Sequence, residues 1–154
     1  MLKKLKLTLA KSIFGGYNKK FGKATDEDKK LWLTNDESVR RVYYADKFCT
    51  FNFTVSAMGD LVRLLKYTNS AAWYREIPSD MPILLISGEY DPVGNYGKGV
   101  REVARSLQKA GVRDVCLKCQ KDVFCKLYEG ARHEILNDFT YTEVRDDIIK
   151  FLQG

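Results

Sequence analysis

Apolar and polar positions divide this chain into two unlike parts. Up to about residue 80 the apolar residues recur at helical spacing without strand alternation, which predicts helices and connections. The segment Asp26–Leu33 has acids in its first turn and Thr25 as N-cap. Asn35–Tyr44 predicts a second helix with Val39, Val42 and Tyr43 on one face. Phe51–Tyr67 carries a third, with Leu61, Leu64 and Leu65 in helical register.

Beyond Pro78 and Pro82 the pattern changes. Ile83-Leu-Leu-Ile86 is a continuous apolar run, as in a central parallel strand covered on both faces, and Gly88 ends it. Gly94–Gly99 predicts a flexible turn. Gly99–Ala110 predicts a helix with Val100, Val103, Ala104 and Leu107 inward and Gly111 at its C-cap. A second strand falls within Val112–Tyr128, its last part, Phe124–Tyr128, leading into the loop Glu129–His133. Asn137–Leu152 predicts a closing helix with Val144, Ile148, Ile149 and Leu152 on its apolar face. The order strand, helix, strand, helix implies an α/β fold with a right-handed parallel crossover. Asp114-Val-Cys-Leu-Lys118 resembles Asp122-Val-Phe-Cys-Lys126 at an offset of eight. A short duplication giving two strands and a chance likeness both remain open.

Composition narrows the class. The 154 residues suffice for one domain with its own core. At 45% apolar and 30% charged the chain is globular, not disordered. The net charge of +6 is spread among acids, which reads as a solvated surface, and no nucleic-acid-binding signature is present. No run is long enough to span a bilayer. The stretch Met1–Ala10 begins like a signal peptide, but Lys6 and Lys11 interrupt it and no small-residue cleavage site follows. An ordinary packed helix using Leu2, Leu5, Leu9 and Phe14 is preferred there to a membrane-surface helix. Of four cysteines, Cys49, Cys116, Cys119 and Cys125, the pair Cys116-x-x-Cys119 is half a zinc site at most, because the chain has one histidine. They are read as reduced, mostly buried thiols of a cytoplasmic protein, with no metal and no cofactor. Phe48, Phe51, Phe53, Tyr67, Trp73 and Tyr74 fit either an aromatic lid over an apolar substrate or packing between helices.

Two loops carry the candidate chemistry. Asp91 follows the first strand in Gly88-Glu-Tyr-Asp-Pro-Val-Gly94, and the sole histidine, His133, follows the second in Glu129-Gly-Ala-Arg-His133. The C-terminal edge of a parallel sheet is where such folds build their sites. A carboxylate that orients an imidazole is the supporting part of a Ser-His-Asp triad, and acid before histidine is the α/β-hydrolase order. Lys98, Arg101 and Arg132, near the proposed site, are read as surface charge.

The segments Leu84–Val100 and Gly130–Asn137 resemble the bacterial monoacylglycerol lipase and lysophospholipase branch of the α/β-hydrolases, labelled serine aminopeptidase S33. Phe14–Phe21 and Trp32–Glu37 resemble that branch's helical cap. The resemblance implies a cap or lid-like segment over 1–80 and the C-terminal part of the hydrolase core over 81–154. It implies Asp91 as triad acid, His133 as general base, and acyl esters of glycerol or lysolipids as substrates. The family's nucleophile sits in Gly-x-Ser-x-Gly, which is absent here. Ser56, in Val55-Ser-Ala-Met-Gly59, is a decoy, with Thr54 where the first glycine belongs. The expectation is a half-enzyme without nucleophile or oxyanion hole, inactive and marginally stable alone. Three accounts follow in order of preference: a fragment of an intact hydrolase, a partner of a separate N-terminal half, or a non-catalytic module binding a lipid or a protein.

Overall fold

The structure, a computed structural model, describes residues 16–23, 25, 30–51, 53–112 and 125–153. The helix expected at 1–14, the acidic helix start at 26–29, most of the repeated segment and the Cys116-x-x-Cys119 pair lie outside the described residues.

The described elements run α1 (Glu37–Ala45), α2 (Val55–Thr68), α3 (Ala71–Arg75), β1 (Leu85–Gly88), α4 (Lys98–Lys109), β2 (Cys125–Tyr128) and α5 (Tyr141–Gln153). Short 3₁₀ helices lie at Tyr17–Lys20 and Ile135–Asn137. Strands β1 and β2 pair in parallel, Leu85 opposite Cys125 and Gly88 opposite Tyr128. The chain is therefore α/β, with α4 between the two strands in sequence.

The continuous apolar run of β1 has the expected consequence. Neighbouring residues of a strand face opposite sides. Leu85 packs against a core of Tyr74, Leu107 and Val112, whereas Ile86 packs against Tyr128, Ala131 and Val144. Helices α3 and α4 thus cover one face and α5 the other. The end of α4 shows why it stops where it does. Gly111 takes φ 95°, its N–H bonds the Gln108 carbonyl at 2.9 Å, and Val112 N–H returns to Leu107 O at 3.1 Å. This is a Schellman closure, and its two apolar ends, Leu107 and Val112, meet in the core. On the other face, Lys126 pairs with Glu143 at 2.8 Å and with Asp147, and the Tyr128 hydroxyl donates to Asp147 at 3.0 Å. These contacts tie β2 to α5.

Several expected faces differ. In α5, Val144 and Ile148 point inward, but Ile149 is exposed and Leu152 is 76% exposed. The helix begins at Tyr141, not Asn137, because extended Asp138 interrupts the backbone and its carboxylate is taken up by the preceding loop. Residues 31–33 form a turn, not the end of a helix. Helix α1 is capped by Asp36, which accepts from Ser38 N at 2.8 Å, and it turns Val42 to solvent. Thr54 caps α2, where Met58 is buried while Leu64 and Leu65 stand 57% and 52% exposed. Helical spacing collects apolar residues into a stripe but does not supply a surface to cover it. The aromatic residues divide accordingly. Trp73 and Tyr74 pack in the core, and Phe48, Phe51, Phe53 and Tyr67 are exposed. Among the described residues no helix is long and apolar enough to cross a membrane.

Candidate active site

Both candidate residues stand at the C-terminal edge of the sheet, each just past its strand. Two close approaches hold the loops together. Glu89 N donates to Tyr128 O and Tyr90 N to Ala131 O, both at 2.9 Å, so the end of β1 is stitched to the end of β2. Gly88 permits this: a Cβ there would fall 2.0 Å from Arg132 O and 2.4 Å from Ala131 O. Only a residue without a side chain lets the two backbones lie this close.

Asp91 is buried, 6% exposed. Its Oδ1 accepts from Val93 N at 2.8 Å, closing an Asx-type turn, and faces His133 Nδ1 at 3.1 Å. The turn expected to be flexible is instead wound and hydrogen-bonded. Tyr96 N donates to Asp91 O at 2.8 Å and Gly99 N to Gly94 O at 3.0 Å. Asn95, Tyr96 and Gly97 have φ of 52°, 55° and 78°, an unusual run of left-handed residues. Non-glycine residues adopt this conformation only where their surroundings enforce it, and such strain gathers at functional sites. Gly94 lies against the acid, since a Cβ there would stand 3.3 Å from both Asp91 Oδ2 and Ser87 Oγ.

His133 is partly open, its side chain 36% exposed. An ionised carboxylate only accepts, so Nδ1 carries the proton toward Asp91 and Nε2 keeps its lone pair. That is the tautomer a general base needs. The hydrogen bond that His133 donates to Asp91 raises the imidazole pKa above its ordinary 6.5, partly opposed by burial and assisted by the charges of Asp91 and Glu134. Trp32 flanks the ring, with centroids 5.2 Å apart at 53°. Tyr17 meets Trp32 edge-on at 5.2 Å, and Lys20 lies 3.6 Å over the Tyr96 ring.

Sequence reasoning missed the residues that hold this loop from its other side. Arg132, read as surface charge, donates instead to the carbonyls of Leu31 and Thr34, at 3.1 Å for the second, and lies 4.6 Å over the Phe21 ring. Glu134 N donates to Leu33 O at 2.8 Å and His133 N to Trp32 O at 3.3 Å. Thr34 Oγ1 donates to Asn137 O at 2.6 Å. No local spacing announces such bonds, because the partners lie roughly a hundred positions apart.

Ser56 is exposed in the first turn of α2, preceded by its cap and not by a strand. Among the described residues no serine hydroxyl is bonded to His133, and no group of three or more His, Cys, Asp or Glu is placed to hold a metal. Cys49 is a free thiol, half-buried, its pKa raised by burial and then by Asp46.

A parallel strand pair with an aspartate and a histidine hydrogen-bonded on the loops that follow it is an arrangement found in the α/β-hydrolase fold. Among the solved structures that share the fold are the following two. A thermostable carboxyl esterase from Bacillus coagulans, in complex with glycerol, superposes with a TM-score of 0.80 at 27% identity, over 96% of this chain and 45% of that one. A lipase in its open form gives a TM-score of 0.75 at 23% identity, over 98% of this chain and 50% of that one. The chain thus spans about half the length of the solved structures it matches. None of the curated proteins compared with it matches. The profile of the family "Serine aminopeptidase, S33" matches residues 2–140, and the chain belongs to that family.

Proposed function

We propose that this chain supplies the acid and base of a serine carboxylic ester hydrolase of the lysophospholipase and monoacylglycerol lipase kind. Asp91 is the triad acid and His133 the general base. The observation that carries the reading is the Asp91–His133 pair, 3.1 Å apart across two strand ends. The esterase likeness supports an ester substrate. In this reading residues 1–80 are the cap and 81–154 the C-terminal part of the core. The serine and the oxyanion donors come from polypeptide outside these residues, an N-terminal hydrolase half.

The chemistry then runs as follows. The serine oxygen attacks the ester carbonyl while Nε2 of His133 takes its proton. The imidazolium returns that proton to the leaving alcohol, and an acyl-serine remains. Water, deprotonated by the same Nε2, hydrolyses the acyl group and regenerates the serine. Asp91 holds the imidazole in its tautomer and stabilises its charged form. Acyl transfer by this route uses no cofactor, and the reading places the reaction in the cytoplasm.

The exposed apolar side chains of α2 favour a second reading, a non-catalytic module that binds a lipid or a protein. Hydrolysis of a p-nitrophenyl ester separates the two. The chain is assayed alone, with a matching N-terminal hydrolase half, and with His133→Ala. Activity that arises only in the mixture and disappears with His133→Ala is expected. No activity in the mixture favours the binding module. Activity indifferent to His133→Ala removes the histidine from the mechanism.

A further inference from the structure

The loop that presents His133 has no regular structure between the end of β2 and the 3₁₀ turn at Ile135, yet the imidazole must stay within hydrogen-bond distance of Asp91. One side of the loop rests on the end of β1. On its other side stands a buried polar group that the proposed mechanism does not use. Asp138, 5% exposed, accepts through Oδ2 from Arg132 N at 3.0 Å, Asn35 N at 3.2 Å and Asn35 Nδ2 at 3.1 Å, and through Oδ1 from Phe139 N at 2.9 Å. A buried carboxylate is costly unless its lone pairs are filled, and here four N–H groups fill them. Asn35 is the second member. Its Nδ2 also donates to Gly130 O at 3.0 Å, so a single side chain bridges the two ends of the loop.

Asp138 thus fixes the backbone N–H of Arg132, the residue immediately before His133, and Asn35 fixes Gly130, where the loop begins. Asp138 does not serve as a helix cap, since α5 begins at Tyr141 and the four N–H groups on the carboxylate come from Arg132, Asn35 and Phe139, all outside that helix.

We propose that Asn35 and Asp138 are positioning residues for His133, a polar clamp that sets the imidazole against Asp91. The importance of this clamp for catalysis rests on the reading of Asp91 and His133 as a working pair, but the clamp itself is testable without any ester. His133 is the only histidine in the chain, so its imidazole resonances in an NMR titration are unambiguous. Asp91→Asn gives the midpoint of an imidazole that has lost its charged partner. Thr54→Ala strips the cap of α2, away from the loop, and controls for a general loss of stability.

With the clamp loosened, the midpoint in Asn35→Ala and in Asp138→Asn is expected to fall from the wild-type value toward that of Asp91→Asn, while Thr54→Ala leaves it in place. Should Asp138→Asn fail to fold, Asn35→Ala decides, since it removes one bridging amide and no buried charge. A folded Asn35→Ala chain that titrates like wild type overturns the proposal. Failure of the ester assay with the midpoint still moving would count against the hydrolase reading and leave the clamp standing.

Discussion

The loop around His133 and helix α2 answer the same problem in opposite ways. Residues 130–138 have almost no regular structure, yet they are bound on two sides by the end of β1 and by residues 31–35. Helix α2 is fourteen residues of regular, capped backbone, yet Met58 is its one buried side chain, and Leu64 and Leu65 face outward. Regularity satisfies the backbone of α2 locally. The histidine loop has few such internal bonds, so several of its polar groups take partners distant in sequence. Local order and tertiary commitment are therefore separate properties, and this chain places its candidate chemistry where the second is greatest.

The largest test of that contrast is Gly88→Ala. The added methyl collides with the Arg132 and Ala131 carbonyls, backbone atoms of which the second also accepts from Tyr90 N. A loss of roughly 3 kcal/mol or more is expected in a urea unfolding titration, toward the upper end for overpacking. A loss below about 1 kcal/mol would show that the loop yields and is not held from both sides.

Asp91→Asn comes next, as the one substitution that separates charge from shape. In the mixture assay a fall of about 10⁴-fold in kcat is expected, the size seen when a triad acid loses its charge. The pH dependence has a definite sign. The His133 pKa is raised in the folded chain, so the Asp91–His133 ion pair stabilises the fold below the ordinary value of 6.5, and that contribution is lost as pH rises through the raised value. Activity runs the other way, since the base must be neutral, and grows through the same interval. In Asp91→Asn both transitions should move to lower pH. Unfolding midpoints and kcat/KM measured across this interval check both, and an unmoved acid limb of activity would remove Asp91 from the mechanism.

The smallest effect is expected at α2. Leu64→Ser and Leu65→Ser should each change stability by no more than about 0.5 kcal/mol, because both residues are more than half exposed. A larger loss in the chain alone would mean that the stripe is covered in solution, and the comparison would then need a partner for α2.

What could be read from the sequence follows the same division. The placement of Asp91 and His133 on neighbouring loops was legible because each closes a local pattern, an apolar strand followed by a turn-rich loop. The Schellman end of α4 was legible at Gly111 for the same reason. Asn35, Asp138 and Arg132 were not. Arg132 looks like surface charge until the carbonyls of Leu31 and Thr34 arrive from the other end of the chain. Val42 and Leu152 show the converse, since their spacing is correct and only tertiary structure reveals that nothing described packs on them.

The distance in sequence between the two arms of the clamp has a kinetic meaning. Asn35 and Asp138 are 103 positions apart, and Asn35 meets Gly130 across 95. Closing so large a loop must be met by chain entropy before any bond rewards it, whereas a helix such as α2 forms from contacts four residues apart. The geometry of His133 should therefore be among the last features to mature in refolding. Helical signal would recover first, and the imidazole would remain that of an ordinary exposed histidine until the two ends of the chain had met.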